Sequence, residues 1–137
     1  MTDIILKNLK PCTVPPAQYS PLALAYVGDC VYELYVRSYL LSRNNLSVNA
    51  LHKTAVKYVC SRAQAEFFRK IEEELTAEEL AVFRRGRNTK STVPKNSEMS
   101  DYRTATGVEA LIGFLYLSDR MQRVCDLMKR LFDEDND

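Results

Sequence analysis

Apolar residues recur along most of the chain at spacings of three and four, the period of helices that bury one face, and strict two-residue alternation is almost absent. Residues 1–19 hold three prolines and no sustained period, so they read as an irregular arm. Ser20-Pro21 pairs an N-cap residue with proline at the first helical position, where the missing N–H is harmless, and predicts a helix to about Ser42. Asn44-Asn45 marks a turn. Ser47 can cap a second helix with Ala50, Leu51, Ala55 and Val59 inward, and Ser61 restarts or continues it through Ala63, Phe67, Phe68 and Ile71. Thr76 and Glu79 have capping-box spacing and open a helix ending near Arg85-Gly86. The polar, proline-containing stretch GRNTKSTVPKNSEMS reads as a loop. Ser100 starts a helix to about Leu117, and Ser118 is expected to cap a last one from Asp119 to Phe132. The expectation is an all-α bundle of about six helices over residues 20–132, followed by the acidic tail DEDND at 133–137.

Two of these helices carry an acid where an apolar residue is expected. On the first, Leu22, Ala25, Tyr26, Asp29, Glu33, Val36 and Leu40 share one stripe, while Leu24, Val27, Val31, Leu34 and Tyr35 lie opposite. Apolar nearly all round, it is predicted to be central. The helix DYRTATGVEALIGFLYL repeats the anomaly, with Glu109 in line with Tyr102, Thr106, Ile112, Gly113 and Tyr116. Gly28, Gly107 and Gly113 would let the two backbones approach closely and bring the carboxylates together.

Paired carboxylates repel, and a hard divalent cation with oxygen ligands, most often Mg²⁺ in contact with phosphate, reconciles them. Such an ion polarises a phosphodiester and acidifies a bound water, so hydrolysis needs neither a histidine nor a cysteine nucleophile. The alternative is an ion pair of each acid with Arg103 or Arg37 inside the bundle. His52 is the only histidine, and the four cysteines show no CxxC spacing, which argues against structural zinc and for reduced thiols. With 46% hydrophobic residues in 137, one core can be buried; no long uncharged apolar run or basic-flanked leader is present, so a soluble, cytoplasmic protein is expected.

The net charge of +1 conceals strong segregation. Residues 37–70 carry seven basic side chains, Lys53 among them, against Glu66 alone. Residues 84–103 carry Arg84, Arg85, Arg87, Lys90, Lys95 and Arg103 against Glu98 and Asp101. Compensation comes from Glu72, Glu73, Glu74, Glu78, Glu79 and the tail. A nearly neutral chain can therefore present a positive face that attracts a polyanion, although solvated helix faces would give the same composition.

The segments YVGDCVYEL and TGVEALIGFLYL resemble the two signature helices of the ribonuclease III catalytic domain. With RGRN at 85–88 and YRTATG at 102–107, the closest likeness is to the reduced members called Mini-III ribonucleases, over about residues 20–132. The resemblance implies Mg²⁺-dependent cleavage of double-stranded RNA by a homodimer, with Mn²⁺ as a substitute ion, and within this family the maturation of 23S ribosomal RNA precursor, with any ribosomal-protein accessory left open. Asp29 matches the aspartate of the family's GD pair and Glu109 the glutamate of its EALIG motif, so both are the expected catalytic and metal-binding residues. Two further acids of full-length ribonuclease III fall at Ala25 and Thr106, which thins the metal cage. Thr106 could still hold a water, and Glu33 is a candidate outer acid with a structural role as its alternative. Only the acidic tail follows the last helix, so RNA affinity is expected from the catalytic domain itself. The preferred contact element is the loop from Arg85 to Asn96, with Arg84, Arg87, Lys90 and Lys95 meeting phosphates and Asn88 a 2′-hydroxyl, in keeping with recognition of A-form RNA by backbone and shape. Lys53 and His52 are weaker candidates. A non-catalytic RNA-binding module and a helical dimerisation scaffold remain the competing functions.

Overall fold

The computed structural model describes residues 4–89 and 98–132, and among these every regular element is helical. Seven α-helices follow in order: α1 (Ile4–Lys7), α2 (Pro21–Arg43), α3 (Val48–Val59), α4 (Ser61–Ile71), α5 (Ala77–Arg87), α6 (Met99–Leu117) and α7 (Met121–Met128). Helices α2 to α7 are the six expected ones. The addition is α1, a four-residue turn of helix within the arm, which also holds a 3₁₀ turn at Pro16–Gln18. Three expected caps form: Ser20 Oγ accepts from the Ala23 N–H at 3.1 Å, Ser47 Oγ from Ala50 at 3.2 Å, and Thr76 and Glu79 exchange bonds at 2.9 and 3.1 Å.

The passage from α6 to α7 differs from expectation. Ser118 ends α6 instead of capping α7, and Asp119 adopts a left-handed φ of 60°. The Asp119 N–H donates to the Tyr116 carbonyl at 3.0 Å and the Arg120 N–H to Leu115 at 2.9 Å, the paired bonds of a Schellman stop. Aspartate tolerates this conformation better than most side chains. Helix α7 therefore starts only at Met121, and Lys129–Phe132 tightens into a 3₁₀ turn. Likewise α6 begins at Met99, before Ser100, with no side-chain cap.

The central helix is α6, whose residues from Ala105 to Leu115 are buried with the exception of Glu109. Helix α2 crosses it, and α4 and α5 pack on its other sides. Contrary to the all-round apolar pattern, α2 buries one face only, through Leu24, Ala25, Gly28, Val31, Tyr32, Val36 and Leu40. Leu22, Tyr26, Asp29, Cys30, Leu34 and Leu41 face outward. The crossing of α2 and α6 depends on glycine at two positions. A methyl on Gly28 would lie 1.7 Å from the Glu109 carbonyl oxygen, and one on Gly113 would lie 1.9 Å from that of Leu24. Both are far inside van der Waals contact, so the backbones touch only because neither residue has a Cβ.

The acidic cluster has a structural role. Arg123 of α7 makes two bonds, at 2.8 and 2.9 Å, to the Glu79 carboxylate, which is 3% exposed, while Arg120 pairs with Glu78 at 2.7 Å and Arg130 with Glu74. These pairs fasten α7 and the residues on either side of it against the start of α5 and the turn at Glu72–Glu74 that precedes it. Burial alone would raise the Glu79 pKa, but the Arg123 bonds and the Thr76 N–H outweigh it and hold the carboxyl below its ordinary value.

Candidate active site

The α2–α6 crossing sets Asp29 against Glu109. Asp29 follows Gly28 on the solvent edge of α2, so it is exposed, in contrast to the buried position its stripe predicts. Glu109 is the half-buried member, on the one interruption in the buried length of α6. The Glu109 carboxyl is pushed up to about 8, first by burial, then by the charge of Asp29 and a hydrogen bond with it, and to a smaller extent by Glu33. Gln64 opposes the shift. Near neutral pH the Glu109 carboxyl thus keeps a proton, with Asp29 as a hydrogen-bond partner.

The expected alternative of buried ion pairs does not form. Among the described residues no cationic group lies within ion-pair distance of Asp29 or Glu109, and Arg37 instead pairs with Glu33 at 3.3 Å. The donor set is two carboxylates with oxygen atoms only, which suits Mg²⁺ or Mn²⁺ and not a thiolate- or imidazole-seeking metal. Asp29 and Glu109 are the acids that meet there, and no group of three or more His, Cys, Asp or Glu gathers at ligand spacing among the described residues. Ala25 is 8% exposed and Thr106 6%, so neither adds a charge at the positions where further acids fall in the longer enzymes. The Thr106 hydroxyl donates to the Tyr102 carbonyl at 3.1 Å, which commits its proton to its own helix.

Sequence reasoning missed Gln64. This residue of α4 is 3% exposed, and its Nε2 donates to the Val59 carbonyl at 3.0 Å and to Glu109 Oε2 at 3.3 Å. The available signal was a lone amide among Ala63, Ala65, Phe67 and Phe68, on a helix face otherwise apolar.

The basic residues divide by what they touch. Arg84 is exposed on α5. Arg85 donates to the Ala17 carbonyl at 2.7 Å and to Tyr19 at 3.4 Å, tying the arm to α5. Arg87 lies 5.6 Å above the Phe83 ring, with Nε 3.4 Å from Asn88 Oδ1. Arg87 and Asn88 line a cavity of about 400 Å³ with Met99, Ser100, Arg103 and Thr104. Arg103, one of the basic residues of 84–103, lines this cavity and makes no ion pair with the acids. It lies six residues before Glu109 on the same helix, about 9 Å along the axis at 1.5 Å per residue. Lys53 and His52 are exposed on α3, where His52 borders an apolar hollow with Arg37, Leu40, Leu41, Val48 and Leu51. Lys90 and Lys95 lie outside the described residues.

Comparison with known proteins bears on the family and the fold. The ribonuclease III domain family profile matches residues 22–120. A Mini-ribonuclease 3 from Clostridium tetani is 49% identical over 114 residues, covering 82% of this chain and 76% of its own. One from Symbiobacterium thermophilum is 41% identical over 129 residues, covering 93% and 95%. A crystal structure of a Fusobacterium nucleatum protein superposes with a TM-score of 0.80 at 29% identity, over 86% of this chain and 95% of that one. With the acids of its two signature segments side by side on crossing helices, this chain belongs to the ribonuclease III family, among its Mini-ribonuclease 3 members, and is an endoribonuclease of that type.

Proposed function

We propose that this endoribonuclease cuts double-stranded RNA at a site where Asp29 and Glu109 hold Mg²⁺, for which Mn²⁺ can substitute. The observation that carries the reading is the acid pair itself: two carboxylates held together by a glycine crossing, with no protein cation between them among the described residues. Without a cation Glu109 holds a proton near neutral pH, whereas a divalent ion would let it ionise. The chemistry such an ion supplies when bound is charge at the scissile phosphodiester and a water of lowered pKa.

The remaining roles fall to the chain's own residues. Asp29, on the exposed edge, faces incoming RNA, and Glu109 backs it from the core. Arg84, Arg87, Asn88 and Arg103 form the contact surface for phosphates and 2′-hydroxyls, a role the sequence also assigns to Lys90 and Lys95, which lie outside the described residues, and Lys53 lies on a second basic region. Arg85 acts chiefly by anchoring the arm. Glu33, held by Arg37, tunes the field at Glu109 from outside.

The substrate we infer is structured precursor RNA, specifically the 23S ribosomal RNA precursor, processed in the cytoplasm by a homodimer. No described helix is long and apolar enough to cross a membrane. The dimer reading rests on the outward stripe of α2, where Leu22, Tyr26, Leu34 and Leu41 are exposed; the stripe excludes Val31, which its own chain covers, and Tyr35, which stacks on Phe132 at 6.3 Å. Two-fold symmetry would supply the second site that cutting both strands requires.

The decisive experiment is cleavage of a labelled RNA duplex with and without Mg²⁺ by the wild type and by Asp29→Asn. The variant should lose about 100-fold or more in rate, the equivalent of the several kcal/mol a divalent cation supplies, while still shifting the duplex in a gel. Full activity of the variant at saturating Mg²⁺ would remove Asp29 from the site.

A further inference from the structure

Gln64 is a polar residue where the packing of α4 calls for an apolar one. Its neighbours Ala65, Phe67 and Phe68 are buried, and so is Gln64 itself. Both protons of its amide are committed, one to the Val59 carbonyl at 3.0 Å and one to Glu109 Oε2 at 3.3 Å. Val59 is the last residue of α3, and its carbonyl is among those left without an intrahelical donor when the backbone turns extended at Cys60 (φ −68°, ψ 160°). A second buried side chain, Tyr32 of α2, donates to the neighbouring Tyr58 carbonyl at 2.6 Å. The α3–α4 break is thus braced by Tyr32 from α2 and by Gln64 from α4 itself.

Two acceptors on one side fix the amide's orientation, which leaves Oε1 pointing away. Oε1 is enclosed and accepts no hydrogen bond among the described residues, a costly arrangement for a buried oxygen. Leucine or methionine would fill the same space without that penalty but would give Glu109 no donor. Glutamate would set another negative charge against the pair. Retaining an amide despite an unmet oxygen is understandable if the N–H toward Glu109 is what the position is for.

We propose that Gln64 is a positioning residue for the metal site: its neutral N–H holds the Glu109 carboxylate in the orientation that faces Asp29, ready to receive a divalent cation. The inference rests on the reading that Asp29 and Glu109 bind that cation. Residues that orient metal ligands in this way typically change affinity or activity by about 10- to 100-fold when removed.

The test is Gln64→Met, which keeps length and approximate volume and removes the donor. Mn²⁺ binding is read without RNA, from the loss of the free-ion electron paramagnetic resonance signal. The binding midpoint should rise by about 10-fold, kcat on duplex RNA should fall by about 10- to 100-fold, and KM should stay within about twofold because the RNA contacts lie elsewhere. A folded variant with the wild-type Mn²⁺ midpoint and kcat overturns the proposal. Should the variant not fold, the Gln64 side-chain amide signals of the ¹⁵N-labelled wild type decide. Signals that move on addition of Mg²⁺ in the wild type and stay still in Asp29→Asn support it; signals that do not respond in the wild type overturn it. A different result, Mn²⁺ binding unaffected by both Asp29→Asn and Glu109→Gln, would refute the underlying metal site, and the positioning role with it.

Discussion

Gly28 and Glu109 meet backbone to backbone: a Cβ on Gly28 would stand 1.7 Å from the Glu109 carbonyl oxygen, so the residue before the exposed acid is in contact with the residue that carries the half-buried one. The separation of the two carboxylates is thereby set by main chain, which is stiffer than any side-chain arrangement.

Gly28→Ala should for that reason act on fold and site together. The added methyl meets backbone, which cannot rotate away, so α2 must shift off α6 at a cost of about 3 kcal/mol or more. Thermal unfolding should show the loss, and any folded remainder should cleave RNA poorly because Asp29 is displaced. An alanine variant with wild-type melting temperature and activity would mean that the crossing tolerates a wider spacing.

The raised Glu109 pKa gives the metal-free protein a signed pH dependence. In the unfolded chain this carboxyl titrates near 4.5, whereas in the folded protein it titrates at about 8, so between these values the native state binds the extra proton. Stability must then fall as pH rises through this window and level off above it. In chelator, the melting temperature at pH 8.5 should lie below that at pH 5.5 by about 3 °C or more, after correction with Glu109→Gln, which removes the group. Mg²⁺ should restore the high-pH value in the wild type only. Identical pH profiles for wild type and Glu109→Gln would show that Glu109 holds no extra proton in the folded protein.

Salt dependence separates phosphate contacts from structural arginines. Replacing Arg87 and Arg103 together by glutamine should reduce the log–log salt slope of duplex binding by up to about 2, at about 0.9 per contact for a B-form duplex and taken as similar for RNA. Arg85→Gln should leave the slope nearly unchanged and loosen the arm, because its guanidinium is bonded to Ala17 and Tyr19. The reverse pattern would move the RNA surface toward the arm.

The outward stripe of α2 allows a test of assembly without disturbing the core. Leu34 is 60% exposed, so Leu34→Lys should leave the monomer folded while weakening self-association by about tenfold or more. Sedimentation at micromolar concentration should show the shift toward single chains, accompanied by nicking of one strand in place of paired cuts. Unaltered sedimentation would place any dimer contact on another face.

Much of this was legible in the sequence because it depends on local rules. Helix starts follow from Ser20-Pro21, Ser47 and the Thr76–Glu79 box, whose side chains reach their own backbone within one turn, and the two acids were visible as charges at helical positions meant for apolar residues. What tertiary structure decided are relations between segments far apart in the chain. Periodicity made α2 look central, yet α6 holds that place, because an apolar stripe does not reveal whether its own chain covers it. Asp29 lies at the exposed edge for the same reason. Asp119 ends α6 in a left-handed turn that no composition signal marks, and Arg85 turns to the arm because Ala17 and Tyr19 fold back to it from 68 and 66 residues away. Gln64 and Glu109 are 45 residues apart, and only the stacking of α4 on α6 makes an amide on one the partner of a carboxylate on the other.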